Sequence, residues 1–352
     1  MKKVFFMPLS LAVLLVALPA FFSTTQTVSY TRDTETLSLK EALGQTLLIG
    51  FEGKEMNPKL ETLMNKMQPG GVLLLGRNIE NAKQVKKLIE QLQEISHVPL
   101  FVAIDQEGGV VSRVWWEETT SQVLLKDETH ALKIGEERAQ GLSEIGMNMN
   151  LAPVLDSNNP GDYLFTRSFQ LDPFLSSLFA ASLIHGHTKE NMISVPKHYP
   201  GYDAISFNPE TNSIPRIKEF PLAEAFSNLF FRFTPPIVML SHVIYEDVDH
   251  ENPLPLSRAG IQKVRESIGE ETLLMSDDLL SLSFIKEYRL GMLGSQALLS
   301  GVDILLAVGY PEYEVVDNFY EGLWLRAKGD PVLAKLIHAS AKKILEAKLA
   351  LF

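Results

Sequence analysis

The sequence predicts a single (β/α)8 barrel of the TIM type, and three observations carry that expectation. From residue 37 onward, apolar stretches of strand length alternate with amphipathic stretches of helix length. Eight such strands are present, the pattern of a parallel sheet covered by helices. Five of the eight end in a charged side chain or an imidazole (Asp105, Asp156, Lys197-His198, His242 and Asp277), which a barrel would gather at one mouth. An open doubly wound sheet is the alternative, but neither a G-x-G-x-x-G nor a P-loop follows the first strand.

The elements follow in order. A short helix at 40–45 precedes the strand 47–51. The amphipathic stretch 57–67 leads to the strand 71–76. Residues 81–95 place Val85, Leu88, Leu92 and Ile95 on one helical face, ahead of the strand 100–105. A helix over 127–145 leads to the strand 149–156, where Pro153 removes a ladder donor. A helix at 174–190 precedes the strand 192–198, and one at 222–231 precedes the strand 237–242. Ser257 caps a helix that runs to Ile268 and stops at Gly269. The apolar run 273–279 follows. A helix at 291–299, a strand at 302–307 and a long helix at 331–349 close the chain.

The bulk properties exclude several classes. A hydrophobic fraction of 45% over 352 residues supports a full core. A net charge of -11 gives no electrostatic support for nucleic-acid binding. Without cysteine the chain has no disulfide, no thiolate metal site, no cysteine nucleophile and no lipidated N-terminal cysteine. Lys2 and Lys3 precede an uncharged apolar run over 4–22, the layout of an export signal. Residues 1–22 are therefore expected to be a signal peptide or a membrane anchor. Cleavage and retention both stay open, because Ala20 is followed by Phe21-Phe22. The polar stretch 23–36 reads as a linker, residues 37–352 as the barrel, and the protein as exported.

A polar residue at one strand end is usually structural, and Asp277 or Asp278 could merely cap a helix. Five such ends together are hard to place in a core, because buried charges are costly unless paired. Cations (Lys197, Arg113, Arg167) beside carboxylates (Asp105, Asp277) suit a polyhydroxylated substrate, since each bonds a sugar hydroxyl in a directed way. His198, His242 and Asp277 could instead converge on a metal, although Lys197 and the arginines would repel a cation. His185 and His187, two apart on a helix, make a poor pair of ligands. Successive strand residues face opposite sides, so Asp278 is expected to point away from the site.

The motifs carry a resemblance. Ile104-Asp105-Gln106-Glu107-Gly108-Gly109, with Arg113 after it, resembles the signature of glycoside hydrolase family 3, and more closely that of its bacterial β-N-acetylhexosaminidases. Further matches follow in order: 151–156, Arg167-Ser168-Phe169, Lys197-His198-Tyr199-Pro200-Gly201, 241–245 and Ser276-Asp277-Asp278-Leu279. The resemblance covers nearly everything after the linker. It implies a barrel that needs no cofactor, with Asp277 as catalytic nucleophile. It implies further that Asp105, Arg113, Arg167, Lys197 and His198 hold the non-reducing-end sugar. The implied partner is a glycan or muropeptide fragment containing N-acetylglucosamine.

The chain departs from those hexosaminidases in one loop. They carry an Asp-Ser-His triplet there, whose histidine is the general acid/base. At the same offset from Lys197 this chain reads Asn208-Pro209-Glu210. Glu210 is the candidate replacement, with Asp203 second in the same loop, since burial or a nearby carboxylate can raise a glutamate's pKa. The loop is expected to close over substrate, which leaves room for Glu210 to lie away from Asp277 when no ligand is bound. Three classes stay open: a retaining exo-glycosidase, a sugar-binding protein that has lost its acid/base, and a metal-dependent barrel hydrolase.

Overall fold

Pro196 and the backbone around it decide how the sheet closes. The computed structural model describes residues 37–156, 159–309 and 312–351, and all of them belong to one compact unit. The expected signal or anchor at 1–22 and the linker at 23–36 lie outside the described residues. The barrel strands are β1 (Leu47–Ile49), β2 (Gly71–Leu74), β3 (Phe101–Ile104), β4 (Met149–Asn150), β5 (Ile193–Ser194), β6 (Ile237–Met239), β7 (Leu273–Asp278) and β8 (Ile304–Ala307). They form one eight-stranded sheet in the order β5-β4-β3-β2-β1-β8-β7-β6, with every pair parallel. Backbone bonds across the remaining seam close it. Met239 N–H donates to Pro196 O (3.1 Å), Tyr199 N–H to Met239 O (2.7 Å) and Ser241 N–H to Tyr199 O (2.8 Å).

The helices are α1 (Leu39–Gln45), α2 (Pro58–Met67), α3 (Ala82–Glu94), α4 (Glu128–Glu144), α5 (Pro173–Lys189), α6 (Glu224–Arg232), α7 (Arg258–Ile268), α8 (Leu282–Glu287), α9 (Leu290–Ser300), α10 (Tyr313–Gly329) and α11 (Pro331–Leu349). Their starts follow local chemistry. Ser38 and Glu41 make a capping box at α1, and Asn57, Asn81, Asp127, Asp172, Ser257 and Asp330 each accept a bond from a first-turn N–H.

The pleat divides the core in two. Leu48, Leu73, Phe101, Ala103, Met149, Ile193, Met239, Met275 and Leu306 fill the barrel interior. Val72, Val102, Ile104, Val238, Leu274 and Leu305 face outward and pack under the helices. The end of α11 plugs the floor: Ile344 joins the interior cluster, and Lys348 Nζ lies 5.1 Å from the centre of the Phe101 ring.

Two expectations are corrected. β4 and β5 are far shorter than the apolar runs 149–156 and 192–198, because Pro153 and Pro196 have no N–H to give the ladder. Side chains take over there: Asn150 Oδ1 accepts from Gln106 N–H (3.0 Å), and its Nδ2 donates to Gln106 O (2.9 Å). After β8 the chain forms two long helices, α10 and α11, where one was expected.

Candidate active site

One cavity of ≈ 460 Å³ opens at the C-terminal ends of the strands, and its lining includes Asp105, Arg113, Arg167, Lys197, His198, Glu210 and Asp277. Leu73, Leu151, Met239 and Leu306 form its apolar base. The structure therefore brings together every side chain singled out as catalytic or substrate-binding. Asp105 leaves β3, and Arg113 follows a small hairpin beyond it. Gln106 pins that hairpin: its Oε1 accepts the Arg113 and Val114 N–H groups (2.8 and 3.0 Å), and its Nε2 donates to Val114 O (3.0 Å). The turn needs glycine at 108, where φ is 90° and an added Cβ would collide with Thr120 O.

A buried charge cluster forms one wall. Lys197 Nζ lies 2.6 Å from Asp105 Oδ1 and 2.7 Å from Glu107 Oε1. Arg167 grips Glu107 with two bonds, Nε to Oε2 (2.8 Å) and Nη2 to Oε1 (2.7 Å). Burial alone would push the Glu107 pKa up, but Lys197 and Arg167 outweigh it and hold the carboxyl well below the usual range. Glu107 is missing from the sequence-level site, although a signal for it exists. It stands two residues after Asp105, where an extended chain returns to the same face, and the two cations need a second carboxylate. Among the described residues Arg113 is in no such ion pair, and its Nε is buried without a hydrogen bond.

His198 is held from behind. Its Nδ1 lies 2.7 Å from Asp156 Oδ2, which also accepts the His198 N–H (2.9 Å), while Asp156 Oδ1 accepts the Tyr202 N–H (2.9 Å). Asp156 thus orients the site from outside the cavity. His242 is also absent from the lining: its ring stacks on Phe284 at 4.1 Å, and burial lowers its pKa to about 4.

Asp277 is 7% exposed. Its Oδ1 accepts the Asp278 N–H (2.8 Å) and its Oδ2 the Tyr202 hydroxyl (2.9 Å). Burial works against ionisation, but nearby His242 and His198, with these two donors, bring the pKa below the ordinary carboxylate value. The two donors act at every pH, whereas His242 contributes charge only when protonated.

Asp278 corrects an expectation, because it lines the cavity beside Asp277. The β7–β8 register shifts between Met275 and Asp278, so strict alternation fails there. Its Oδ1 accepts Val308 and Leu280 N–H groups (2.9 and 3.0 Å), and burial with the Asp277 charge raises its pKa to about 7. Gly309 is required opposite it, since a Cβ there would collide with the carboxyl.

Glu210 sits on the cavity rim, open to solvent on one side, rather than away from the site. Its carbonyl accepts the Ser283 N–H (3.0 Å) from the first turn of α8, which ties the loop down. Desolvation and the carboxylates of Asp277, Asp278 and Asp105 raise its pKa to about 7, against Arg167. The facing charges support that direction as much as burial does. Asp203 lines a neighbouring cavity of ≈ 320 Å³ between α5 and α6, not this one. Among the described residues, no group of three or more His, Asp or Glu side chains is placed to hold a metal.

The sequence profile of the glycosyl hydrolase family 3 N-terminal domain matches residues 38–347. The chain belongs to glycosyl hydrolase family 3. Within that family it is similar to curated proteins named beta-hexosaminidase. One from Tolumonas auensis is 27% identical over 274 residues, covering 74% of this chain and 82% of the relative. Another, from Alkalilimnicola ehrlichii, is 28% identical over 287 residues, covering 76% and 81%. The family 3 β-N-acetylglucosaminidase structure from Paenibacillus sp. FPU-7 superposes with a TM-score of 0.81 at 26% identity. That match covers 89% of this chain and 62% of the Paenibacillus chain.

Proposed function

We propose that this family 3 protein is a retaining exo-glycosidase that removes terminal β-linked N-acetylglucosamine. One observation carries the proposal: two carboxyl groups share the cavity with their protonation pushed apart, Asp277 downward and Glu210 to about 7. Such a split assigns a nucleophile and an acid. In the first step an Asp277 oxygen bonds to the anomeric carbon, the glycosidic bond breaks, and Glu210 gives its proton to the leaving oxygen. In the second, Glu210 takes a proton from water, the water oxygen bonds to the anomeric carbon, and Asp277 leaves as carboxylate. Two inversions return a β product. Asp105, Arg113, Arg167, Lys197 and His198 would hold the sugar. A base closed by apolar side chains suits a single terminal residue. Cell-wall fragments are the natural source proposed, and export, on the charged-then-apolar N-terminus, is part of the same reading.

A panel of chromogenic glycosides, run on wild type and Asp277→Ala, tests this. The expected result is turnover of the β-N-acetylglucosaminide, insensitive to chelators, with a β-configured first product by NMR. Asp277→Ala should lose turnover and keep sugar binding. An α-configured first product would contradict the mechanism. Binding of N-acetylglucosamine without any wild-type turnover would establish the non-catalytic sugar-binding reading instead.

A further inference from the structure

Tyr202 joins the two halves of the site, and nothing in the two-carboxylate chemistry above uses it. Its side chain is buried, 3% exposed. Its N–H is bonded to Asp156, the residue that orients His198, and its ring meets the His198 ring edge-on at 5.1 Å. Its hydroxyl accepts the His242 backbone N–H (2.8 Å) and lies 2.9 Å from Asp277 Oδ2. A phenol has one proton. Because the His242 N–H fills the acceptor side, that proton is directed at Asp277.

We propose that Tyr202 is the positioning residue of the nucleophile, fixing the Asp277 carboxylate and stabilising the charge that returns to it when the glycosyl-enzyme is hydrolysed. In the covalent intermediate Asp277 is an uncharged ester, and its bond from Tyr202 is weak. As the bond to the anomeric carbon breaks, the electron pair goes back to the carboxylate and the bond becomes charge-assisted, the stronger kind. Tyr202 therefore acts most on the second step. It serves as a neutral donor throughout the working range, because burial and the Asp277 charge raise its own pKa well above 10. The other groups facing Asp277 are His198, His242, Asp278 and Glu210, none of which is replaced by a substitution at 202, although Tyr202→Phe also removes the acceptor of the His242 N–H.

The proposal rests on Asp277 as nucleophile, and Tyr202→Phe tests it with two readouts. On an activated aryl glycoside, kcat should fall by about ten-fold or more with KM falling alongside it, because the glycosyl-enzyme accumulates. The acidic limb of kcat/KM should move up by about one pH unit, the worth of one charge-assisted bond. The same shift should appear in the Asp277 carboxyl signal followed by 13C NMR, which needs no turnover. Tyr245→Phe controls for structural loss: Tyr245 is equally buried, and its hydroxyl bonds Gly201 O (2.8 Å) and Ser241 Oγ (2.9 Å). It should lower the melting temperature and leave the acidic limb in place. If Tyr202→Phe does not fold, 3-fluorotyrosine at 202 replaces it; being a stronger donor, it should shift the limb downward. An unmoved limb and an unmoved Asp277 signal overturn the proposal. A moved signal without turnover in wild type keeps Tyr202 and discards the glycosidase.

Discussion

Glu210 and Asp277 carry the same functional group in two settings, and the settings give them opposite tasks. Asp277 is held ionised by an amide and a phenol. Glu210 faces other carboxylates and keeps its proton up to about pH 7. Its protonated form is the acid, so activity should fall as pH rises through about 7 and that limb should flatten in Glu210→Ala. On a glycoside with a poor leaving group the variant should lose about 10²–10⁴-fold, and on an activated one much less in the first step. Azide should restore turnover by attacking the glycosyl-enzyme without a base. Wild-type activity of Glu210→Ala on the poor leaving group would remove Glu210 from the mechanism. At this scale the readable residues were those with charge at the end of an apolar strand, such as Asp105, Lys197 and Asp277. Tyr202 and the inward turn of Asp278 were not readable. One depends on a bond between residues 75 apart in sequence, and the other on a local register shift.

The element that sets Glu210 in place is α8, a short helix after β7 whose Ser283 N–H holds the Glu210 carbonyl. A first-turn N–H has no partner within its own helix, so the loop satisfies a donor that would otherwise need water. Proline fits the first turn of a helix and lacks that donor. Ser283→Pro removes that donor and also costs stability, since Ser283 is buried and its hydroxyl meets Ser281 Oγ at 3.2 Å. Measured well below the melting temperature, kcat/KM on a poor leaving group should fall by about ten-fold, roughly 1.4 kcal/mol of lost orientation. Equal loss on activated and poor leaving groups would mean that the loop positions something other than the acid. Among the elements, the eight strands were legible because a buried parallel strand is an unbroken apolar run. α10 was not, although Val316, Phe319, Tyr320, Leu323 and Ala327 form a buried face at helical spacing. One helix per strand already accounts for α11, so the alternation offers no place for a second.

Across the whole molecule, α11 joins the end of the described chain to its beginning. Lys348 Nζ donates to Gln45 Oε1 at 2.8 Å, inside the barrel floor. Burial lowers the Lys348 pKa to about 7. The unfolded chain holds that proton to about pH 10.4, so between these values the unfolded state binds more protons and stability rises with pH. Lys348→Met should accordingly stabilise the protein at about pH 6 by on the order of 1–3 kcal/mol and lose that advantage by about pH 10, read by urea denaturation. An equal gain at both pH values would show that packing, not the charge, is responsible. The same helix bears on folding. Phe101, Leu73 and Met149 line an interior whose floor is Ile344 and Ala347 of α11 and Leu351 just after it. The eight strands can pair before that floor is in place, but the interior they enclose stays open beneath until α11 docks. A barrel whose α11 is undocked is a paired sheet over an open base, and the docking of that one helix turns it into a closed core.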